Sequence, residues 1–502
     1  MEQHLKIYNQ TNEKLRAISA ALVMLDWDSQ TEAPKGCLDR RATYIGSLAE
    51  MTYKLQSDEQ YLEAVNWLND HISELDAVMA REIRLVVKGI EIIRKIPIED
   101  YVGYQTLLAQ CVKYYFEAKA ESDFNKFAPY LDKIVAVNKK FIKLLDSDTM
   151  HGYDILLDMY EEGFTEKDYD KFFDCLKEKL VPFVKKVTST KLKFNKSFLS
   201  KTYDVNKQQE FCKYLQGVMC FNTDRGVMKE SEHPFTTSVD MTDVRFTVHY
   251  YTDNVLSAIF SAIHEMGHSI YEQHIDPSLI DTSLAHGVSL GMHESQSRLY
   301  ENIIGRSYEF WQAHYNKLQE IFPRQLGKVS LDDFYKGVNL VQRSYIRTEA
   351  DELTYALHIM VRYDIEKMFI KKNLPIENYP DTWNKLYKKY LGLTVKNDKE
   401  GILQDVHWSM GSIGYFPTYA LGSAISAQLY HKMRSEIDVD GIVASNNLQG
   451  INDWLKEKVH KYGKSKTPKE ILYLATGEDF NPDYYVNYLI EKYSKIYNID
   501  NK

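Results

Sequence analysis

Asn254-Val255-Leu256-Ser257-Ala258-Ile259-Phe260-Ser261-Ala262-Ile263-His264-Glu265-Met266-Gly267-His268-Ser269-Ile270-Tyr271-Glu272 reads as one helix with a polar face set into an apolar one. Leu256, Ile259, Phe260, Ile263 and Ile270 recur at helical spacing, and Asp253 or Asn254 can cap the start. Only Gly267 interrupts the run. A glycine inside a helix costs about 1 kcal/mol relative to alanine, so its presence predicts that something packs closely on that turn. His264 and His268 stand four residues apart and project from one face, where both imidazoles can reach a single cation. Glu265 sits between them in the HEXXH pattern, placed to take a proton from water rather than to ligate.

A catalytic zinc set needs a third protein ligand and an open position for water. His293-Glu294-Ser295-Gln296-Ser297-Arg298 follows on the next helical stretch, and an antiparallel helix there would bring Glu294 to the metal. The loop from Asp281 to Gly291 joins the two stretches, and Gly287 and Gly291 shape it. His286 and His293 compete with Glu294 as the third ligand. Zinc suits two imidazoles and a carboxylate; cobalt and manganese also fit such a set.

Around this segment most of the chain reads as helix. Leu75, Met79, Ile83, Val86, Ile90 and Ile93 step by three or four and end before Pro97, the pattern of a core-facing helix. The exception runs from Phe235 to Tyr251. There Val244, Phe246, Val248 and Tyr250 alternate with polar residues, and Asp240-Met241-Thr242-Asp243 offers a turn. This predicts a β-hairpin just ahead of the metal helix. Its edge could pair with an extended peptide, or the hairpin could simply cover the core.

With 502 residues, 44% hydrophobic and 26% charged, the chain can bury a large core, and with 12 prolines and 23 glycines it offers no linker at which to divide it. Residues 1–502 are therefore read as a single domain. Met1-Glu2-Gln3-His4-Leu5-Lys6 reads as the start of a polar helix rather than a signal peptide, and no apolar run suits a bilayer span. The five cysteines, Cys37, Cys111, Cys175, Cys212 and Cys220, are scattered without metal-type pairing. They read as reduced packing residues of a cytoplasmic protein. A net charge of −9 argues against nucleic acid and anionic membrane as partners. Lys139-Lys140 and Lys371-Lys372 read as solvated helix faces.

Two later stretches carry unusual polar residues in helical context. Ile346, Ala350, Leu353, Leu357 and Met360 would face the core, with Arg347, Asp351, Thr354 and His358 on the neighbouring face. Arg347 could grip a carboxylate through two parallel hydrogen bonds, but spacing alone slightly favours an ion pair with Asp351 at i,i+4. Farther on, His407 and a tyrosine of Gly414-Tyr415-Phe416-Pro417-Thr418-Tyr419 could donate to an oxyanion as water attacks a peptide carbonyl.

The motifs together resemble the carboxypeptidase Taq family. They are His233-Pro234-Phe235, Asp243-Val244-Arg245-Phe246-Thr247, His264-Glu265-Met266-Gly267-His268, His293-Glu294-Ser295-Gln296, Ile346-Arg347-Thr348-Glu349-Ala350-Asp351 and Gly401-Ile402-Leu403-Gln404-Asp405-Val406-His407-Trp408, in the family's order. Trp27-Asp28-Ser29-Gln30-Thr31 with Pro34 and Gly36 extends the likeness towards the N-terminus. The resemblance implies an all-α, zincin-like fold with a small β-hairpin beside a deep groove that divides it into two lobes, similar in outline to neurolysin and angiotensin-converting enzyme. It implies a homodimer that removes single C-terminal amino acids from peptides with broad preference.

Carried over by motif, His264, His268 and Glu294 are metal ligands and Glu265 the general base. Arg347 becomes the binder of the terminal carboxylate, overriding the ion pair with Asp351. Arg245 and His233 fall in substrate-recognition segments, and His407 with Tyr415 or Tyr419 stabilises the oxyanion. Glu265 would take a proton from the attacking water and return it to the departing amine. Two rivals stay open at this level: a related endo-oligopeptidase or dipeptidyl carboxypeptidase, and a non-catalytic peptide-binding protein.

Overall fold

The metal-helix segment folds as a helix over Val255–Gln273, and Asn254 caps it by accepting the Ser257 N–H (3.2 Å). Ile259, Phe260, Ile263 and Ile270 are all buried, so the stripe faces the core as its spacing predicts. The computed structural model describes residues 1–372 and 374–499. It is mostly helical, with one three-stranded sheet. None of the described helices is long and apolar enough to cross a membrane.

Strands β1 (Gly226–Glu230), β2 (Thr236–Asp240) and β3 (Asp243–Val248) lie in the order β1-β3-β2. The expected hairpin is β2 antiparallel to β3, turning at Met241-Thr242, and Val244, Phe246 and Val248 are fully buried from the central strand. Strand β1, parallel to β3, was not expected. Its sequence, Gly-Val-Met-Lys-Glu, has no alternation to announce it, and it forms because β3 leaves a ladder edge to fill.

A contiguous apolar core runs from Cys111 to Tyr497. The N-terminal helices carry a smaller one of Tyr8, Tyr61, Val65, Leu68 and Ile83. Val78 and Leu85 join them to the body by packing on a third cluster around Met241 and Leu284. The helix expected over 75–93 forms over Ala77–Lys95, capped by Asp76, which accepts from Val78 N and Met79 N (both 2.9 Å). It is core-facing only in its first half: Ile83 is buried, whereas Ile93 is 70% exposed.

The helix expected to include Ile346 starts later, at Glu352, and runs to Lys371. Arg347–Glu349 form a short 3-10 turn, and Asp351 is the N-cap, its Oδ1 accepting from Thr354 N (3.0 Å). An aspartate that caps a helix has its carboxylate committed to the backbone. This corrects the expected i,i+4 pair of Arg347 with Asp351. The cysteines are free, with Cys111 and Cys212 buried.

Candidate active site

Glycines let three helices converge on Glu294. It lies on the helix Leu290–Arg298, capped by Ser289, whose Oγ accepts from Met292 N (3.1 Å). A Cβ on Gly267 would stand 2.8 Å from the Ser297 Cα, so the metal helix meets this second helix backbone to backbone. On the other side a Cβ on Gly422, in the helix Phe416–Glu436, would stand 2.6 Å from the Glu294 Cβ. The close packing that Gly267 predicted is therefore the contact that brings Glu294 beside the two histidines.

His264, His268 and Glu294 offer ligand atoms within 4.8 Å of one another. The Nε2 atoms of both histidines lie 3.7 Å from Glu294 Oε2. That is too long for a hydrogen bond and close to the edge, roughly 3.4 Å, of a tetrahedron whose centre is about 2.1 Å from each donor. The donor set fits a divalent metal.

Each of these three candidate ligands is held by an outer partner, as metal ligands require. His264 Nδ1 pairs with Glu301 Oε2 (2.9 Å), on the π-helical turn Leu299–Ile304 that continues the Glu294 helix. Arg298 Nε donates to Glu294 Oε1 (2.6 Å) and its Nη1 to Glu301 Oε2 (3.2 Å), leaving Glu294 Oε2 directed at the histidines. His268 Nδ1 meets His293 Nδ1 (3.0 Å), and His293 Nε2 meets Glu272 Oε1 (2.7 Å). Glu272 also accepts from Gly287 N (2.7 Å) and Ser238 Oγ (3.0 Å) and lies 3.3 Å from His286 Nδ1. His286 and His293, the rival candidates, contact Glu272 and His268 rather than joining the three clustered donors. Burial opposes ionisation of Glu301, but Arg298 and the bond to His264 outweigh it and hold the carboxyl well below the ordinary range.

Glu265 is buried beside this cluster, and its Oε2 accepts from Thr236 Oγ1 (2.6 Å) on β2. Burial raises its pKa, and the His264 charge and the Thr236 bond pull against that rise. The hairpin therefore does more than cover the core.

Arg347 is 7% exposed and is gripped by Asp405: Nε and Nη2 donate to Oδ1 (3.0 and 2.8 Å), and Nη1 donates to the Tyr355 hydroxyl (3.3 Å). Asp405 Oδ2 accepts from the fully buried Arg362 (2.7 Å). Tyr355 also lies under Arg298, 4.6 Å from ring centre to guanidinium, and so links the Arg347 cluster to the Glu294 side. Tyr419 lies 5.1 Å below the Arg347 guanidinium, and its hydroxyl is 3.4 Å from His407 Nε2. Burial pushes the His407 pKa down to about 4, partly offset by Asp405, so the ring is neutral near pH 7. Tyr415 leans edge-on against Tyr160, with ring centres 5.2 Å apart. Burial raises its pKa, and among the charges that raise it further is the Glu294 carboxylate. Burial raises the Tyr419 pKa too, and the neighbouring Tyr415 and Tyr355 hydroxyls raise it further while Arg347 lowers it.

Two expected residues stand apart from the cluster. Arg245 makes a two-point ion pair with Asp243 (both 2.7 Å) and lies over Trp27. His233 is exposed in the bend between β1 and β2. Sequence reasoning missed Thr236, Glu272, Glu301 and Tyr355. Of these, Glu301 had a usable signal: it is seven residues past Glu294, two helical turns along the same face.

A buried glutamate beside two histidines and a carboxylate, on a helical scaffold, defines the site class as that of metal-dependent hydrolases. Sequence comparison resolves the class further. The model of the carboxypeptidase Taq (M32) metallopeptidase family matches residues 7–493. Carboxypeptidase 1 of Bacillus subtilis (strain 168) is 42% identical over 486 residues, 97% of each chain. Thermostable carboxypeptidase 1 of Pyrococcus furiosus is 35% identical over 489 residues, 96% of each. The crystal structure of M32 carboxypeptidase from Deinococcus radiodurans R1 aligns with a TM-score of 0.94 at 30% identity, covering 99% of this chain and 100% of that one. The chain belongs to the carboxypeptidase Taq family and is a metallocarboxypeptidase, a peptide hydrolase that works with a divalent metal. The family favours this reading over the endopeptidase, dipeptidyl-peptidase and binding-protein alternatives.

Proposed function

We propose that His264, His268 and Glu294 hold one zinc ion and that Glu265 is the general base for stepwise removal of single C-terminal residues with broad specificity. The observation that carries this reading is the convergence of the three donor atoms within 4.8 Å beside a buried Glu265 oriented by Thr236. When bound, the metal supplies Lewis acidity, making water more acidic and a peptide carbonyl more electrophilic. Thr236 orients the Glu265 carboxylate, which accepts the proton of the attacking water and delivers it to the departing amine. Tyr415, which feels the Glu294 charge, donates to the developing oxyanion. His407 acts through its contact with Tyr419.

Arg347 fixes the register by binding the substrate's terminal carboxylate. Two of its five N–H groups face Asp405 and one faces Tyr355, which leaves two for a ligand. The substrate lies in a groove between two lobes of a single domain and pairs with β2, which bonds to β3 on one side only. Arg245 and His233 flank that path from the sheet. The homodimer reading is supported by the helix Leu38–Gln56, which has no buried residue yet exposes Leu38, Tyr44, Ile45, Met51 and Tyr53. Free cysteines support a cytoplasmic location.

The test is a peptide of defined sequence incubated with metal-loaded protein, with and without chelator, and followed by product mass. A chelator-sensitive ladder losing one C-terminal residue per step is expected. Internal fragments or dipeptides would overturn the single-residue reading.

A further inference from the structure

Glu366 is fully buried on the helix Glu352–Lys371 and takes no part in the cluster of ligands and base. Its Oε1 accepts from the Trp408 indole N–H (2.8 Å), and its Oε2 from the Gly414 backbone N–H (2.9 Å) and the Tyr153 hydroxyl (2.6 Å). Trp408 follows His407, and Gly414 precedes Tyr415. One carboxyl group therefore ties both ends of the loop 408–414, one oxygen to each end, and the residues just outside those ends carry the oxyanion assignment.

The loop is held firmly on its other side as well. Gly414 has φ +95°, and a Cβ there would stand 2.8 Å from the Leu156 carbonyl oxygen, so the backbone is pressed between Leu156 and Glu366. The Trp408 ring packs against Phe369 and Trp383, with centres 4.9 and 6.1 Å away. A backbone at positive φ has no side chain to brace it, and the Glu366 bond to its N–H supplies the brace instead. Burying a carboxyl group is costly, and a loop that needed only to be closed could use apolar packing. Burial pushes the Glu366 carboxyl up to about 7 against the opposing pull of its three hydrogen bonds and Arg362. The fold keeps a buried acid whose three hydrogen bonds fix the geometry of this loop.

We propose that Glu366 is a positioning residue that sets the Tyr415 hydroxyl towards the reacting carbonyl by clamping the Trp408 and Gly414 ends of its loop. This rests on the assignment of Tyr415 as the oxyanion donor. Misplacing a reacting group by about 1 Å can cost 100-fold in rate, while an oxyanion donor contributes roughly 100- to 1,000-fold. Glu366→Gln keeps the shape but turns an amide NH2 towards a donor, so one loop bond must break.

The experiment measures kcat, KM and thermal stability of the metal-loaded enzyme for Glu366→Gln, Tyr415→Phe, the double variant, and Tyr153→Phe. Tyr153→Phe removes the one bond to Glu366 that does not reach the loop. Glu366→Gln is expected to lower kcat at least ~10-fold with KM little changed, and Tyr415→Phe ~100-fold. The double variant should be no slower than Tyr415→Phe. Tyr153→Phe should lose stability but keep kcat. Losses that multiply in the double variant would overturn the positioning role while leaving the Tyr415 assignment standing. Wild-type kcat in Tyr415→Phe would overturn that assignment, and the proposal with it. If Glu366→Gln does not fold, Trp408→Phe opens the same clamp from the loop side and must show the same non-additivity with Tyr415→Phe.

Discussion

Gly267→Ala separates the packing that builds the site from the chemistry performed in it. The new methyl carbon would lie 2.8 Å from the Ser297 Cα, 3.1 Å from the Gln296 carbonyl oxygen and 3.2 Å from the Ser297 nitrogen, all backbone atoms. Carbon atoms in ordinary contact are at least ~3.5 Å apart, so the two helices must part by about 0.7 Å. Overpacking of this kind costs roughly 1–3 kcal/mol, of which the better helix propensity of alanine returns up to about 1 kcal/mol. The same displacement carries a functional cost. Glu294 stands one turn before Ser297 on the displaced helix, and metal sites tolerate displacements of only ~0.2 Å. Metal affinity should fall by about 10- to 100-fold, as when an outer-layer partner is lost. Competition with a chromophoric chelator reads the affinity, and thermal melts with and without metal read the coupling. The metal-free protein should lose up to about 3 kcal/mol from the overpacking, and the metal-induced gain in stability should shrink on top of that loss. Unchanged metal affinity in a folded Gly267→Ala protein would falsify the claim that this contact places Glu294.

Glu265→Gln should keep its metal and lose kcat by about 100- to 10,000-fold, measured as metal content against turnover; rapid hydrolysis by an uncontaminated sample would exclude Glu265 as the base. Arg347→Met should raise KM for peptides with a free C-terminus and abolish the preference for them over their amidated counterparts; if that preference survives, the terminal carboxylate is bound elsewhere. Glu161, fully buried, accepts from Ser289 Oγ (2.6 Å) and Gly291 N (2.7 Å) at the start of the Glu294 helix, and burial pushes its carboxyl up to about 7 from 4.5. The folded state therefore holds a proton that the unfolded state has lost. The stability this group contributes is full below about pH 4.5 and is lost as pH rises to about 7, a span worth roughly 3 kcal/mol. Chemical denaturation of Glu161→Gln across that window should show a flatter pH slope than the parent, and identical slopes would refute the assignment.

The parts of the site that could be read in the sequence are those whose partners are local. His264 and His268 share a helix face through a four-residue spacing, and Gly267 gives away a close neighbour because nothing else justifies its cost in an apolar helix. Asp351 shows the opposite case. Its spacing from Arg347 suggested an ion pair, yet a short carboxylate next to a helix start is drawn to the free backbone N–H groups, and the apolar register of Ile346 and Ala350 concealed where that start falls. The residue that takes Arg347 instead, Asp405, lies 58 positions away, a distance over which periodicity carries no information.

The same limit explains why the outer layer stayed hidden. Glu272 and Glu366 are buried and Glu301 is partly so, and each is defined by donors on other elements: His293 and Ser238, His264 and Arg306, Trp408 and Gly414. On a helical net they look like ordinary charged positions, because the sequence records which residue is present but not whether its face is wet. The proposed metal ligands escape this ambiguity because two of them must sit a fixed number of residues apart to share one ion. A carboxylate that only orients a neighbour meets no such constraint and can come from any helix that passes within reach. In Glu294-Ser295-Gln296-Ser297-Arg298-Leu299-Tyr300-Glu301 every residue but the partly exposed Arg298 and Glu301 is buried, and the charges satisfy one another, Arg298 pairing with both Glu294 and Glu301.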